Sequence, residues 1–296
     1  MEKIGFIGLG IMGRPMSRHL IRAGFSVTGY EVAPENARKA AEGGVSMVSG
    51  VAELAARSTL IINMLPTPAI SLSTALGSGG IAENAAPGTL VVEMSSLSAM
   101  TVREIHQGLA AKGIRMLDAP VSGGEAKATD ATLAIMAGGG QEDYDRALPV
   151  LKAMSASVIR VGEIGSGSIA KLANQIIVGV NIAAMAEAFT LSAKAGVDPG
   201  LVFEAIRGGL AGSTVLESKG PMVLERDYTP GARMEIHIKD LSNVLETAHT
   251  LSAPVPLAAL VMEMMQSLKA NGMGQIDHGG LIRFYELLAG IEVKRQ

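Results

Sequence analysis

Along roughly the first half of the chain, short apolar runs alternate with stretches whose apolar positions recur at helical spacing. The runs cover 4–8, 26–31, 60–65, 90–94, 115–119, 133–137 and 158–161, with helical patterns such as 34–41 and 101–112 between them. Near-continuous apolar strands separated by helices predict a parallel sheet covered on both faces. Glycine and proline gather where turns are needed, as at Gly77, Gly79 and Gly80 and at Pro87-Gly88. After Gly167 the texture changes, and from 168 to about 195 no turn signal occurs. A helix of that length spans ~42 Å. Its apolar residues occupy nearly every side, which predicts a central helix buried all round. Helical patterns continue at 199–208, 238–251, 256–271 and 279–289, with Asp198 as N-cap and Pro199 in the first turn of the first of these. The expected architecture is α/β. An N-terminal domain built on that sheet (1–163) precedes an all-α C-terminal domain (164–296) with a long central helix.

Composition narrows the class. Hydrophobic residues make up 48% and charged residues 18%, which is a folding composition. A net charge of −3, only 4 Tyr and 5 Phe, and no Trp provide neither the basic surface nor the stacking platform of a nucleic-acid binder. With no cysteine, disulfides, thiolate nucleophiles, zinc fingers and iron–sulfur clusters are excluded together, which fits a reducing, cytoplasmic setting. The best membrane-span candidate, 176–191, is short of the ~20 residues required and holds Asn181 and Glu187. The Gly-rich stretch 4–13 lacks a signal peptide's basic start and clean cleavage pattern. The chain is therefore expected to be soluble, without membrane or nucleic-acid partners. The five histidines show neither His-x-x-x-His spacing nor a nearby carboxylate pattern, and no metal is expected.

The chemistry begins at Gly8-Leu9-Gly10-Ile11-Met12-Gly13, a G-x-G-x-x-G string that ends the first expected strand and opens a helix. The first glycine permits the tight turn, the second admits a pyrophosphate to the backbone, and the third lets helix and strand pack closely. The helix N-terminus supplies the complementary field. A second strand ends at Glu31, where a ribose-binding acid belongs. A carboxylate there accepts hydrogen bonds from the adenosine ribose and repels a 2′-phosphate, and Val32 offers no compensating cation. NAD is therefore the expected cofactor, with NADP the alternative. Met64-Leu65-Pro66 lies at another strand end, positioned to border the dinucleotide.

Two further features stand out. Lys171 lies near the start of the apolar helix, where a lone ammonium is costly to bury, and Asn174 follows on the same face, with Val178 and Asn181 continuing the stripe. Such a stripe requires water or a polar ligand. Ser122-Gly123-Gly124 follows Pro120, and consecutive small residues at a strand end expose backbone N–H groups suited to a carboxylate, although an ordinary turn has the same composition. Ser95 and Ser96 end the fourth strand, where ligands of open sheets gather and where serines also cap helices.

The segment Phe6-Ile-Gly-Leu-Gly-Ile-Met-Gly-Arg-Pro-Met-Ser-Arg-His-Leu20 resembles the N-terminal signature of the β-hydroxyacid dehydrogenase family. Three further blocks match it in order: Asp118-Ala-Pro-Val-Ser-Gly-Gly124, Gly165-Ser-Gly-Ser-Ile-Ala-Lys-Leu-Ala-Asn-Gln175 and Ile238-Lys-Asp-Leu241. The resemblance implies an NAD(P)-dependent oxidoreductase with a Rossmann domain, an all-helical domain and an active site between them. It makes Lys171 the catalytic lysine and Asn174 a substrate-positioning amide. It makes Ser122, Gly123 and Gly124 the substrate-carboxylate loop, and Ser96 and Lys239 cofactor contacts. Ser122-Gly-Gly-Glu-Ala-Lys127 and Arg207-Gly-Gly-Leu-Ala-Gly-Ser213 resemble the branch that interconverts tartronate semialdehyde (2-hydroxy-3-oxopropanoate) and D-glycerate. Members of that branch tend to carry Asp-Arg where this chain has Glu31-Val32.

In reduction, hydride transfer to the carbonyl makes an alkoxide that must be protonated, and in oxidation the hydroxyl must lose its proton. A lysine does both when apolar neighbours and a positive nicotinamide ease release of its proton. Another small hydroxyacid of the 3-hydroxyisobutyrate, threonate or serine type is the alternative substrate. A non-catalytic NAD(H)-binding module is the alternative class, against which Lys171 speaks. The apolar helix and the Ala/Met-rich C-terminal region predict a homodimer or homotetramer.

Overall fold

The computed structural model describes residues 2–295. The chain divides into two units, Met1–Lys171 and Leu172–Gln296.

The first unit is an α/β fold built on nine strands: β1 (Lys3–Ile7), β2 (Ser26–Tyr30), β3 (Ser46–Met47), β4 (Leu60–Asn63), β5 (Leu90–Glu93), β6 (Arg115–Asp118), β7 (Val121–Ser122), β8 (Leu133–Gly138) and β9 (Ser155–Gly162). Their order is β3-β2-β1-β4-β5-β6-β8-β7, with β9 paired to β8. The strands from β3 to β6 are all parallel, and the order reverses between β1 and β4, the point where open sheets of this kind bind dinucleotides. The sheet is not wholly parallel as the pattern predicts. β8 runs antiparallel to β6 and β7, because the chain turns back through the short β7 with no crossover helix long enough to reverse it.

Its helices are α1 (Gly13–Arg22), α2 (Pro34–Glu42), α3 (Val51–Arg57), α4 (Pro68–Leu76), α5 (Ile81–Asn84), α6 (Ala99–Ala110), α7 (Gly124–Thr129) and α8 (Gln141–Lys152). Two start where a side chain caps them: Thr67 accepts the N–H of Ile70, and Ser98 accepts that of Thr101. The sheet's alternation splits the core in two. Ile4, Phe6, Leu60, Ile62 and Val92 pack with Met16 and Leu20 on one face. Ile7, Ile61 and Val91 pack with Leu54, Val102 and Ile105 on the other. β9 pairs only with β8, and Ile159 and Val161 along it are exposed.

The second unit is all α. After α9 (Ser166–Lys194), whose first turns belong to the first unit, come α10 (Pro199–Ile206), α11 (Thr214–Leu224), α12 (Met234–Thr250), α13 (Pro256–Leu268) and α14 (Ile282–Ala289). Asp198 caps α10 through the N–H of Gly200, and Ser213 caps α11 through that of Leu216. Leu172, Ile182, Leu241, Val261 and Met265 form one cluster, and Phe189, Phe203, Val223, Leu224 and Ile282 another.

Three expectations are corrected here. α9 is not buried all round: Ile177 is 60% and Leu191 72% exposed. By length and composition it is the one described helix long and apolar enough to cross a membrane. α12 begins at Met234 rather than 238, so Lys239 and Asp240 lie in its second turn. The last helix begins at Ile282, after a 3₁₀ turn (His278–Leu281) in which Asp277 accepts the N–H of Gly279.

Candidate active site

The carboxyl edge of the parallel strands collects most of the predicted cofactor residues. Gly8, just past β1, has φ +91°, and a Cβ there would stand 2.3 Å from the Met64 carbonyl oxygen. Only glycine fits that backbone. A Cβ on Gly13 would stand 2.0 Å from the Gly8 oxygen, so α1 lies directly against the turn. Gly10 is different, because a Cβ there would meet nothing within 4 Å. Two glycines are thus demanded by packing, and the middle one fronts open space beside the N-terminus of α1. That is the arrangement a pyrophosphate requires, and Gly8, Leu9, Gly10, Ile11, Met12 and Gly13 fit a dinucleotide.

Glu31 follows β2. Its Oε2 accepts the N–H of Leu9 at 2.8 Å, and its Oε1 accepts that of Ala33 at 2.8 Å. The acid therefore braces the glycine loop from the adjacent strand, a link the sequence pattern does not reveal. Each carboxylate oxygen retains a second acceptor site. Val32, next to it, is 77% exposed.

Met64, Leu65 and Pro66 leave β4 beside this loop. The N–H of Leu65 is held at 2.8 Å by the hydroxyl of Ser95, from the end of β5, with Ser96 next in line. Beneath Ser95 lies a buried polar group that sequence reasoning missed. Glu93 accepts the N–H of Ser95 at 3.0 Å on one oxygen and the Asn63 side-chain amide at 3.1 Å on the other. Full burial pushes the Glu93 carboxyl above the ordinary range, against the hydrogen bonds of Ser95 and Asn63. Its signal in the sequence is a charged residue ending an otherwise apolar strand, and Asp118, opposite it, likewise ends β6.

Ser122 is the last residue of β7 and is half-buried. Gly123 (φ +139°) and Gly124 (φ +66°) both take backbone conformations that other residues rarely adopt, so the pair shapes this loop before α7 begins.

Lys171 is buried, with 8% of its surface accessible, in the second turn of α9. Asn174 follows one turn later on the same helix. In the second unit, the Asn174 side-chain amide donates to Gln175 Oε1 at 2.9 Å, and Gln175 Nε2 donates to Asp240 Oδ2 at 2.6 Å. Lys239 Nζ lies 3.0 Å from Asp240 Oδ1. The structure thus joins two predicted residues, Asn174 and Lys239, through two that were not singled out for a role. No cluster of three or more His, Asp or Glu suited to a metal occurs among the described residues.

Comparison with known proteins places the chain. A family model described as the NAD binding domain of 6-phosphogluconate dehydrogenase matches residues 3–162. A second, described as NAD-binding of NADP-dependent 3-hydroxyisobutyrate dehydrogenase, matches residues 165–285. The 2-hydroxy-3-oxopropionate reductase of Escherichia coli K12 is 37% identical, over 97% of this chain and 98% of its own. The chain belongs to the β-hydroxyacid dehydrogenase family. It is an NAD(P)-dependent oxidoreductase that acts at the family level on small β-hydroxyacids and their semialdehydes. The L-threonate dehydrogenase of Cupriavidus necator is 35% identical, over 99% of this chain and 98% of that one. Among solved structures, Mycobacterium tuberculosis 3-hydroxyisobutyrate dehydrogenase with L-serine is similar at TM-score 0.88 and 32% identity. The match covers 96% of this chain and 99% of that one. Family members with different acid substrates are thus about equally similar to this dehydrogenase.

Proposed function

We propose that the protein reduces tartronate semialdehyde to D-glycerate, and catalyses the reverse oxidation, with NAD(H) as the preferred cofactor. The observation that carries a catalytic reading is Lys171, a cation buried on a helix that is otherwise largely apolar. A charge in that setting is kept for a purpose other than stability. The substrate reading is supported by 37% identity to the Escherichia coli reductase along nearly the whole chain.

When bound, the dinucleotide supplies or accepts the hydride. The chain's own residues do the rest. In reduction, Lys171 Nζ donates a hydrogen bond to the substrate carbonyl oxygen and then gives up its proton as that oxygen becomes an alkoxide. In oxidation the neutral amine takes the hydroxyl proton back. Asn174 orients the substrate's oxygens, and Ser122, Gly123 and Gly124 hold its carboxylate. The glycine loop holds the pyrophosphate, and Met64, Leu65, Pro66, Ser96 and Lys239 hold the rest of the dinucleotide. Glu31 takes the adenosine ribose hydroxyls. Its bonds to Leu9 and Ala33 keep a negative charge where the 2′-phosphate of NADP would lie, and the exposed Val32 supplies no cation. The exposed apolar residues of α9 support self-association as a dimer or tetramer.

The test is a 340 nm assay with NAD(H) and NADP(H) on D-glycerate, L-threonate, 3-hydroxyisobutyrate, L-serine and tartronate semialdehyde. The reading expects the highest kcat/KM on the tartronate semialdehyde–glycerate pair with NAD(H). A tenfold preference for another of these acids overturns the substrate, and a tenfold preference for NADP(H) overturns the cofactor.

A further inference from the structure

Adjacent residues on a helix point about 100° apart and do not ordinarily meet. Asn174 and Gln175 do: Gln175 Oε1 accepts the Asn174 amide at 2.9 Å. Gln175 is itself buried, and it is held from α12 at two points. Its side-chain amide donates to Asp240 Oδ2 at 2.6 Å. Its backbone carbonyl lies 3.2 Å from His237 Nε2. A carbonyl only accepts, so that ring nitrogen carries the proton. The other ring nitrogen, Nδ1, stands 2.7 Å from His278 Nδ1, and one of the two donates to the other. Gly179, one turn further along α9, makes room for the ring, since a Cβ there would lie 3.1 Å from His237 Nε2. His237 and Asp240 are three residues apart on α12, so both contacts come from one face of that helix.

We propose that Gln175 is a positioning residue. Held at its backbone and its side chain, it fixes the rotamer of the Asn174 amide and, through Asp240, ties that amide to Lys239. This rests on the assignment of Asn174 to the substrate. The arrangement has a direction: one Asn174 N–H is turned to Gln175, which sets the plane of the amide that meets the substrate. An amide free to rotate would spend binding energy on being ordered.

The experiment compares the wild type with Gln175→Leu, Asn174→Ala and the double variant. Steady-state constants are measured on D-glycerate, L-threonate and 3-hydroxyisobutyrate with NAD+, and NADH binding is followed by fluorescence. Gln175→Leu keeps the side chain's bulk and removes both of its hydrogen bonds. It is expected to raise KM for the acid about tenfold, the equivalent of one buried hydrogen bond, with kcat changed less than about threefold. In the Asn174→Ala background the same substitution is expected to change KM less than about twofold, because the group it positions is gone. A merely structural role would not produce that loss of effect. If Gln175→Leu does not fold, Gln175→Asn, too short to reach Asp240, is read on the same scale. Multiplying effects in the double variant, or a folded Gln175→Leu with wild-type KM beside a damaged Asn174→Ala, overturns the role of Gln175 alone. Wild-type constants in Asn174→Ala overturn the assignment of Asn174 and this inference with it.

Discussion

The carboxylate of Asp118 accepts the backbone N–H of Ser168 at 2.7 Å, and its other oxygen accepts that of Gly165 at 2.7 Å. The end of β6 thereby fixes the first turn of α9, whose second turn carries Lys171. The fit is close: a Cβ on Gly167 would lie 2.6 Å from the Asp118 carbonyl oxygen, and one on Gly138 2.4 Å from Asp118 Oδ1. Burial pushes the Asp118 carboxyl up, while the two N–H groups pull against it.

Removing that acceptor strands two buried donors at a helix start. Asp118→Ala is expected to lose about 3 kcal/mol of unfolding free energy in urea. Asp118→Asn, which keeps one acceptor, is expected to lose about half as much. Because the start of α9 also sets Lys171, kcat is expected to fall in both while KM for NAD+ moves less than about threefold. An unchanged kcat in a destabilised Asp118→Ala would show that the cap serves folding alone.

Glu93 makes a pH prediction. Its carboxyl is raised by burial in the folded chain, against about 4.3 when unfolded. The folded state therefore binds the proton more tightly. The stability this contributes is fully present below the unfolded value and is lost as pH rises through the folded one. Urea unfolding is expected to show stability declining upward from about pH 4.3. Asn63 Oδ1 is buried with no hydrogen-bond partner in the described structure. After rotation of the Asn63 amide, the side-chain amide N–H of Glu93→Gln donates to that oxygen, while its carbonyl accepts the N–H of Ser95. Glu93→Gln is accordingly expected to fold and to flatten the decline, leaving the part due to Asp118. A slope equal to the wild type's would overturn the assignment.

The parallel half of the sheet, the glycine loop and the acid after β2 were legible because each is local: an apolar run, a turn residue or a fixed spacing reports them. What escaped depended on partners distant along the chain. Glu31 bracing Leu9, and Ser95 holding Leu65, join residues 22 and 30 positions apart. β7 is two residues long and β3 likewise, too short for any alternation to register. The start of α12 was placed four residues late because Met234 to His237 mixes apolar and polar residues without a capping side chain. Gln175 stayed invisible because its partner is distant: it is i+4 from Lys171 on the same side of α9, but the bond that marks it, to Asp240, joins residues 65 positions apart.

Cofactor choice should be transferable with two residues. Glu31 accepts the Leu9 N–H of the glycine loop, and Val32 is largely exposed, so neither a cavity nor a buried contact is lost by changing the latter. Val32→Arg adds a guanidinium where a 2′-phosphate needs a partner, and is expected to raise kcat/KM for NADP+ about tenfold, with NAD+ nearly unchanged. Glu31→Gln removes the repelling charge but also one acceptor of the loop. It is expected to raise kcat/KM for NADP+ relative to NAD+ while raising KM for both cofactors. If Val32→Arg leaves the ratio of the two cofactors where it was, the adenosine ribose does not lie at this strand end.

Lys171→Met tests the chemistry itself. The thioether side chain fills nearly the same volume in a buried site and cannot carry a proton, so the variant is expected to fold. General acid–base catalysis contributes about 10²–10⁴-fold, and kcat is expected to fall by that range. NADH binding, measured by fluorescence, should stay within about threefold of the wild type. Lys171→Arg is the sharper control, because it keeps the positive charge on a group that does not release its proton near neutral pH. If the charge only polarised the carbonyl, Arg would restore turnover. A general acid predicts that Arg is nearly as inactive as Met, and recovery of more than about a tenth of kcat in Lys171→Arg would exclude proton transfer from this residue.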